Sequence, residues 1–411
     1  MIVSGIGITS AIGQGQEAFT QALLAGEHNF AVMQRPGRQI PSSDGDTVTS
    51  AFLGAEIPEL TLPNNIARST VRTLSFSGKV ALASVAEAWQ DAQLDKVDPE
   101  RIGLVVGGSN FQQRELHNTY SKYAGKVPFI RPTYAMSFFD SDVCGICTEV
   151  FGIKGPAYTI GGASASGQVA VVQAIQAVQA GTVDVCIAVG AMLDLSYWEC
   201  QGFRSLGAMG SDNFADRPDL ACRPYDRDRN GFIFGEGCGV IVVERDNLLS
   251  QTNRTDITPY AKLTGWAMAM DGNRNPNPSF EGEVKVIEQA LAMADLTPES
   301  IDYVNPHATG STIGDETELA ALQHCGLSHA YMNTTKSITG HGLTSAGAIE
   351  LVATLVQMRA EKLHPCRNLD NPMSDAFQFV QTTTEHRIQN AIKMSMGFGG
   401  VNTAICLQRA N

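Results

Sequence analysis

TIGGASASG (Thr159–Gly167) is a small-residue turn that runs directly into the apolar segment QVAVVQAIQAV (Gln168–Val178). The pattern echoes later in the chain, where GHGLTSAG (Gly340–Gly347) leads into AIELVATLVQM (Ala348–Met358). Strand-like apolar runs lie around these turns: IGLVVGG (Ile102–Gly108), VDVCIAVGA (Val183–Ala191), CGVIVVE (Cys238–Glu244), IDYVNPH (Ile301–His307) and TAICL (Thr403–Leu407). Helical patterns such as VALASVAEAWQDA (Val80–Ala92) and GEVKVIEQALAMA (Gly282–Ala294) alternate with them. Alternation of this kind predicts an α/β fold with helix-covered sheets. Near-continuous apolar strands predict sheets buried on both faces. The polar stretch SQTNRTDIT (Ser250–Thr258) follows one strand and precedes another, so two halves are expected, residues 1–253 and 254–411.

Composition sets the outer limits. The chain has 411 residues, of which 43% are hydrophobic and 17% charged, so a substantial core is expected. The formal net charge of −13 argues against nucleic acid or an anionic membrane surface as the main partner. No run of eighteen apolar residues occurs, and MIVSGIGITS (Met1–Ser10) has no basic region before an apolar core, so a cytoplasmic protein is expected. Of nine Cys residues, Cys144 and Cys147 form the one close pair, and nothing nearby completes a zinc site. No metal is expected, and the cysteines read as small buried residues.

Four further islands bear on chemistry together with the first: NPHATGSTIGDETE (Asn305–Glu318), TTKSITGHG (Thr334–Gly342), SMGFGGVN (Ser395–Asn402) and RPYDRDRNGFIFGEGCG (Arg223–Gly239). In their chain order and spacing they resemble the β-ketoacyl synthases, the condensing enzymes of fatty-acid and polyketide assembly. The resemblance starts at VSGIGITSAIG (Val3–Gly13) and runs to the C-terminus. It implies a duplicated thiolase fold, a five-layered αβαβα unit that is usually dimeric.

It also implies a site. The family's two histidines, which bind a malonyl thioester and drive loss of CO₂, match His307 and His341. Its lysine matches Lys336, and the Phe of its GFGG turn matches Phe398. Thr309 and Ser311 fall where two threonines hold a pantetheine arm, and Phe232 falls in an apolar wall beside the carboxylate. Asp315, Glu318 and Glu350 match acidic residues that hold the lysine and the loops. Arg68 and Arg72, four apart, match basic residues at the entrance used by an acidic carrier protein. Ala308 stands where the family has Gly.

At the position of the nucleophilic Cys stands Ser164. A thiol at a helix N-terminus becomes a thiolate near neutral pH, whereas a serine hydroxyl needs a general base. Stable acyl transfer, and condensation with it, should therefore be slow. Decarboxylation needs only donors aimed at the developing enolate oxygen, and neutral His307 and His341 can each supply one N–H. Family members that keep the histidine pair but lack the Cys act as malonyl-carrier decarboxylases. The Ser form resembles those of polyketide β-branching cassettes, which feed acetyl-carrier protein to a hydroxymethylglutaryl-type synthase. The resemblance thus implies decarboxylation of malonyl-acyl carrier protein (ACP) to acetyl-ACP. The substrate would ride on the carrier's 4'-phosphopantetheine, and the enzyme would need no cofactor of its own. A homodimer is expected, with a heterodimer as the alternative. Two other functions stay open: a non-catalytic partner of an active ketosynthase, like a chain-length factor, and a condensing enzyme or acyltransferase using Ser164. The sequence names no base for Ser164.

Overall fold

A computed structural model of the chain describes residues 1–43, 47–64 and 66–410. Five strands build the first half: β1 (Ile2–Ser10), β2 (Ile102–Gly107), β3 (Ala157–Ile160), β4 (Val185–Gly190) and β5 (Gly237–Glu244). The second half uses β6 (Ala261–Met270), β7 (Tyr303–Asn305), β8 (Tyr331–Met332), β9 (Gln378–Phe379), β10 (Asn390–Gly397) and β11 (Val401–Arg409). Their hydrogen-bonded order is β9-β8-β7-β10-β11-β6-β1-β5-β4-β2-β3.

That order contains a duplication. From the outside inward the first half reads β3-β2-β4-β5-β1, and the second reads β8-β7-β10-β11-β6, with β9 added at its edge. The pairing senses match as well: the two outer pairings of each half are parallel and the two inner ones antiparallel. The halves meet through β1 and β6, where Ile2 pairs with Lys262 and Val3 with Ala261.

Six helices complete the layers: α1 (Phe76–Asp91), α2 (Ser141–Phe151), α3 (Ser166–Gln179), α4 (Phe280–Ala294), α5 (Thr312–His324) and α6 (Ala346–Ala360). Strand alternation sorts the side chains between layers. Val105, Ala188 and Ile241 face a central core with α3 and α6. Their neighbours Leu104, Val106, Ile187 and Val240 face an outer core with α1 and α2. In the second half, Ala391, Ile405 and Leu407 join the central core, while Ile392, Met394 and Ala404 face an outer core with α4 and α5. The result is the expected five-layered αβαβα arrangement, with α3 and α6 in the middle.

The two central helices touch at their starts. A Cβ on Gly167 would lie 2.8 Å from the backbone nitrogen of Ala348, and a Cβ on Gly347 would lie 2.8 Å from that of Gln168. Glycine is required there because the backbones themselves are in contact. Each helix follows a 3-10 turn, Ala163–Ala165 or Leu343–Ser345. Both turns open on a non-glycine residue in left-handed backbone, Ala163 at φ 48° and Leu343 at φ 52°. Ser164 and Thr344 are therefore equivalent positions in the two halves.

Candidate active site

The contact between the central helix starts brings the Ser164 turn against the His341 turn. A cleft of about 360 Å³ opens there, lined by Ser164, His307, His341, Phe232, Phe398 and the backbone that follows His307.

His307 leaves the end of β7 in a loop that α5 holds from below. Ser311 caps α5 by accepting the Gly314 N–H at 2.9 Å. Asp315 and Glu318, three apart on the helix, then reach back to the loop. Glu318 accepts the His307 N–H at 2.5 Å and the Ala308 N–H at 2.8 Å, and the Tyr225 hydroxyl donates to it at 2.6 Å. Asp315 accepts the N–H groups of Gly310 at 3.0 Å and Tyr225 at 2.8 Å. Burial pushes the Asp315 carboxyl up to about 7. The Glu318 bonds matter because Ala308 sits in left-handed backbone at φ 41°, where a Cβ costs energy that Gly would not. Thr309 and Ser311 line the cleft. Their oxygens accept local N–H groups, which leaves each hydroxyl proton free to donate.

Lys336 donates to the His307 carbonyl and pairs with Glu350 on α6. The other Glu350 oxygen lies 2.7 Å from Lys393 on β10. Two buried ammonium groups thus share one carboxylate.

His341 Nε2 lies 3.1 Å from Ser164 Oγ, and its Nδ1 accepts the Leu343 N–H at 3.3 Å. Burial holds the pKa of both His307 and His341 well below the usual histidine value, and the charges of Lys336 and Lys393 push in the same direction. A neutral His341 whose Nδ1 is already an acceptor carries its proton on Nε2. It therefore donates to Ser164, so the neighbour that the sequence did not name holds the wrong tautomer to be a base. The rings of His307 and His341 stand nearly perpendicular, with centroids 5.6 Å apart. His307 Nδ1 is buried without a hydrogen-bond partner, while its ring borders the cleft. Phe232 packs edge-on against His341 at 5.2 Å and against Phe203 at 5.5 Å. Phe398 is 41% exposed at the cleft mouth.

A model of the β-ketoacyl synthase N-terminal domain matches residues 1–248, and one of the C-terminal domain matches residues 260–370. The chain belongs to the β-ketoacyl synthase family. It is 55% identical, over 99% of its length and 96% of the relative's, to the polyketide biosynthesis malonyl-ACP decarboxylase PksF of Bacillus subtilis. It is 31% identical to 3-oxoacyl-acyl-carrier-protein synthase 1 of Haemophilus influenzae, over 100% of this chain and 99% of the relative. Among solved structures it resembles a β-ketoacyl synthase from Burkholderia phymatum, with a TM-score of 0.88 and 23% identity over 100% and 99% of the two chains. The ishigamide ketosynthase/chain length factor gives 0.86 and 22% over the same shares.

The fold thus gathers Ser164, His307, His341, Phe232, Phe398, Thr309, Ser311, Asp315 and Glu318 around one cleft, with Lys336 and Glu350 directly behind it. Arg68 and Arg72 lie elsewhere, exposed on and just after the short helix Arg68–Val71 and outside the cleft lining. Three residues that sequence reasoning missed belong to this region. They are Lys393, Tyr225 and the buried Glu283, whose Oε2 has no hydrogen-bond partner and whose burial raises its pKa well above the usual value. The one available signal was a Lys set between the apolar residues Ala391 and Ile392 on one side and Met394 and Met396 on the other. The nine cysteines are free and buried, and the described residues contain no group of three or more His, Cys, Asp or Glu arranged to hold a metal. No helix among them is long and apolar enough to cross a membrane.

Proposed function

We propose that this chain decarboxylates malonyl-ACP to acetyl-ACP for polyketide biosynthesis, as a ketosynthase-like enzyme without a thiol nucleophile. The observation that carries the reading is the pair of neutral histidines at one cleft, with the His341 proton held on Nε2 beside Ser164. The 55% identity to a malonyl-ACP decarboxylase supports it.

The geometry supports this sequence of events. The malonyl thioester, carried on the 4'-phosphopantetheine of ACP, enters past Phe398 with its arm along Thr309 and Ser311. Its carbonyl oxygen takes the N–H groups of His307 and His341. The Cα–carboxyl bond breaks, CO₂ leaves, and the electron pair moves onto the thioester oxygen as an enolate. Two fixed donors stabilise that charge, each worth about 3 kcal/mol in comparable sites. The apolar face of Phe232 offers the carboxylate no hydrogen bond and favours its loss. A proton from solvent then completes the acetyl group. Ser164 fills the thiol's place, accepts from His341 before substrate arrives, and stays unacylated because no base takes its proton. The backbone N–H groups of Ser164 and Phe398, both at the cleft, would serve as a second donor pair.

Carrier docking near Arg68 and Arg72, the two halves as residues 1–253 and 254–411, β-branching as the pathway and a cytoplasmic setting belong to the same proposal. So does a homodimer. Tyr120, Tyr134, Phe138 and Phe139 form a chain of ring contacts between 4.1 and 6.2 Å that lies largely at the surface. Among the described residues, β3 ends the strand order with one edge unpaired. Apolar surface beside a free strand edge suits a second copy. The test of function is turnover of malonyl-ACP by the purified protein, read as acetyl-ACP. Recovery of malonyl-ACP unchanged would favour the non-catalytic partner of a ketosynthase instead.

A further inference from the structure

Lys393 is the fourth residue of NAIKMSMG, the strand β10. Ile392 and Met394 face the outer core and Ala391 faces the central one, so alternation points Lys393 into the middle of the molecule. It is fully buried there. Its ammonium lies 2.7 Å from Glu350 and donates to the Met394 carbonyl. Glu350 in turn holds Lys336, which holds the carbonyl of His307. Four elements, β10, α6, the turn at Lys336 and the loop after β7, are tied together through one carboxylate.

Lys336 alone would neutralise Glu350, and Lys393 is a second buried ammonium on the same carboxylate. Burial works against that charge and brings the Lys393 pKa down to about 8, with Glu350 opposing the shift and Lys336 reinforcing it. Glu318 on α5 acts from further away and favours the charged form. Perturbed charges of this kind cluster at functional sites, and this one lies directly behind the loop that carries His307.

We propose that Lys393 is a positioning residue for decarboxylation: it clamps Glu350, and through Glu350 and Lys336 the backbone of His307, while its charge sits behind the histidine pair. The proposal rests on the decarboxylase reading. In that reaction, negative charge moves from the carboxylate to the oxygen held by His307 and His341. A fixed positive charge behind those donors stabilises the product of that shift and keeps both imidazoles neutral.

The test compares wild type with Lys393→Met, which keeps the length and removes the charge. Titration of ¹³Cε1-labelled histidine by NMR, assigned with His307→Asn and His341→Asn, needs no substrate. The His307 and His341 signals in K393M should titrate about half a pH unit or more above wild type. With malonyl-ACP, kcat should fall about tenfold and KM stay within about twofold. The wild-type fall in kcat above about pH 8 should disappear in K393M. Unshifted histidine titrations together with unchanged kcat overturn the proposal, even if the melting temperature drops, since that combination describes a purely structural lysine. Should K393M fail to fold, the wild-type profile decides, and a kcat flat from pH 7 to 10 overturns it. A wild type that releases no CO₂ sinks the decarboxylase reading, while the NMR arm still decides whether Lys393 controls the histidines.

Discussion

His307 and His341 meet at the cleft under different constraints. His341 has its tautomer fixed by the Leu343 N–H, whereas His307 is fixed through its backbone by Glu318 and Lys336. Replacing either by Ala should reduce CO₂ release by about a hundredfold or more while malonyl-ACP still binds, measured as kcat against KM. Ser164→Ala should keep substantial decarboxylation, because the hydroxyl only accepts from His341. A complete loss would show that the hydroxyl takes part in chemistry. The pH profile follows from the depressed histidine pKa values. Both donors are neutral well below the ordinary 6.5, so kcat should stay level as pH falls through 6.5 and drop only as the folded-state values are reached. An acid limb centred at 6.5 would contradict this. Stability carries the same sign: the unfolded chain protonates these histidines below about 6.5 and the folded one does not, so their burial costs stability as pH falls. At this scale His307 and His341 were legible as candidates because each stands in a Gly-bounded loop. Tyr225, Glu283 and Lys393 were not, because their roles arise from elements far apart in the chain.

At the scale of elements, the contact between α3 and α6 positions the site. Gly347→Val would drive a Cβ against the Gln168 backbone, at an expected cost of about 1–3 kcal/mol in urea unfolding. The same change should lower kcat, since it pushes the Ser164 and His341 turns apart. Unchanged stability would mean that the helices do not meet as described. The periodic helices were readable: Val80–Ala92 and Gly282–Ala294 lie within α1 and α4, extended in α1 by one residue beyond its end. The long apolar strands β2, β4 and β5 were readable too. β10 was not, because Lys393 interrupts its apolar run, and β8 and β9 are two residues each, too short for any period to show.

For the whole molecule, the weak echo between two Gly-to-helix turns proved to be the trace of a complete duplication, strand for strand. Sequence showed the turns because the close helix crossing limits residue size at Gly167 and Gly347. The duplication explains why one cleft holds Ser164 from the first half and both histidines from the second. The exposed aromatic face belongs to this scale. Phe138→Ser with Phe139→Ser should shift a dimer toward monomer in sedimentation, and an unchanged dimer would place the interface elsewhere. This ketosynthase fold breaks a carbon–carbon bond without forming an acyl-enzyme. Mixing the purified protein with malonyl-ACP and following both proteins by intact mass should show conversion to acetyl-ACP with no acyl group on the enzyme. An unchanged malonyl group, or a stable acyl mass on Ser164, would mean that the fold does not work this way.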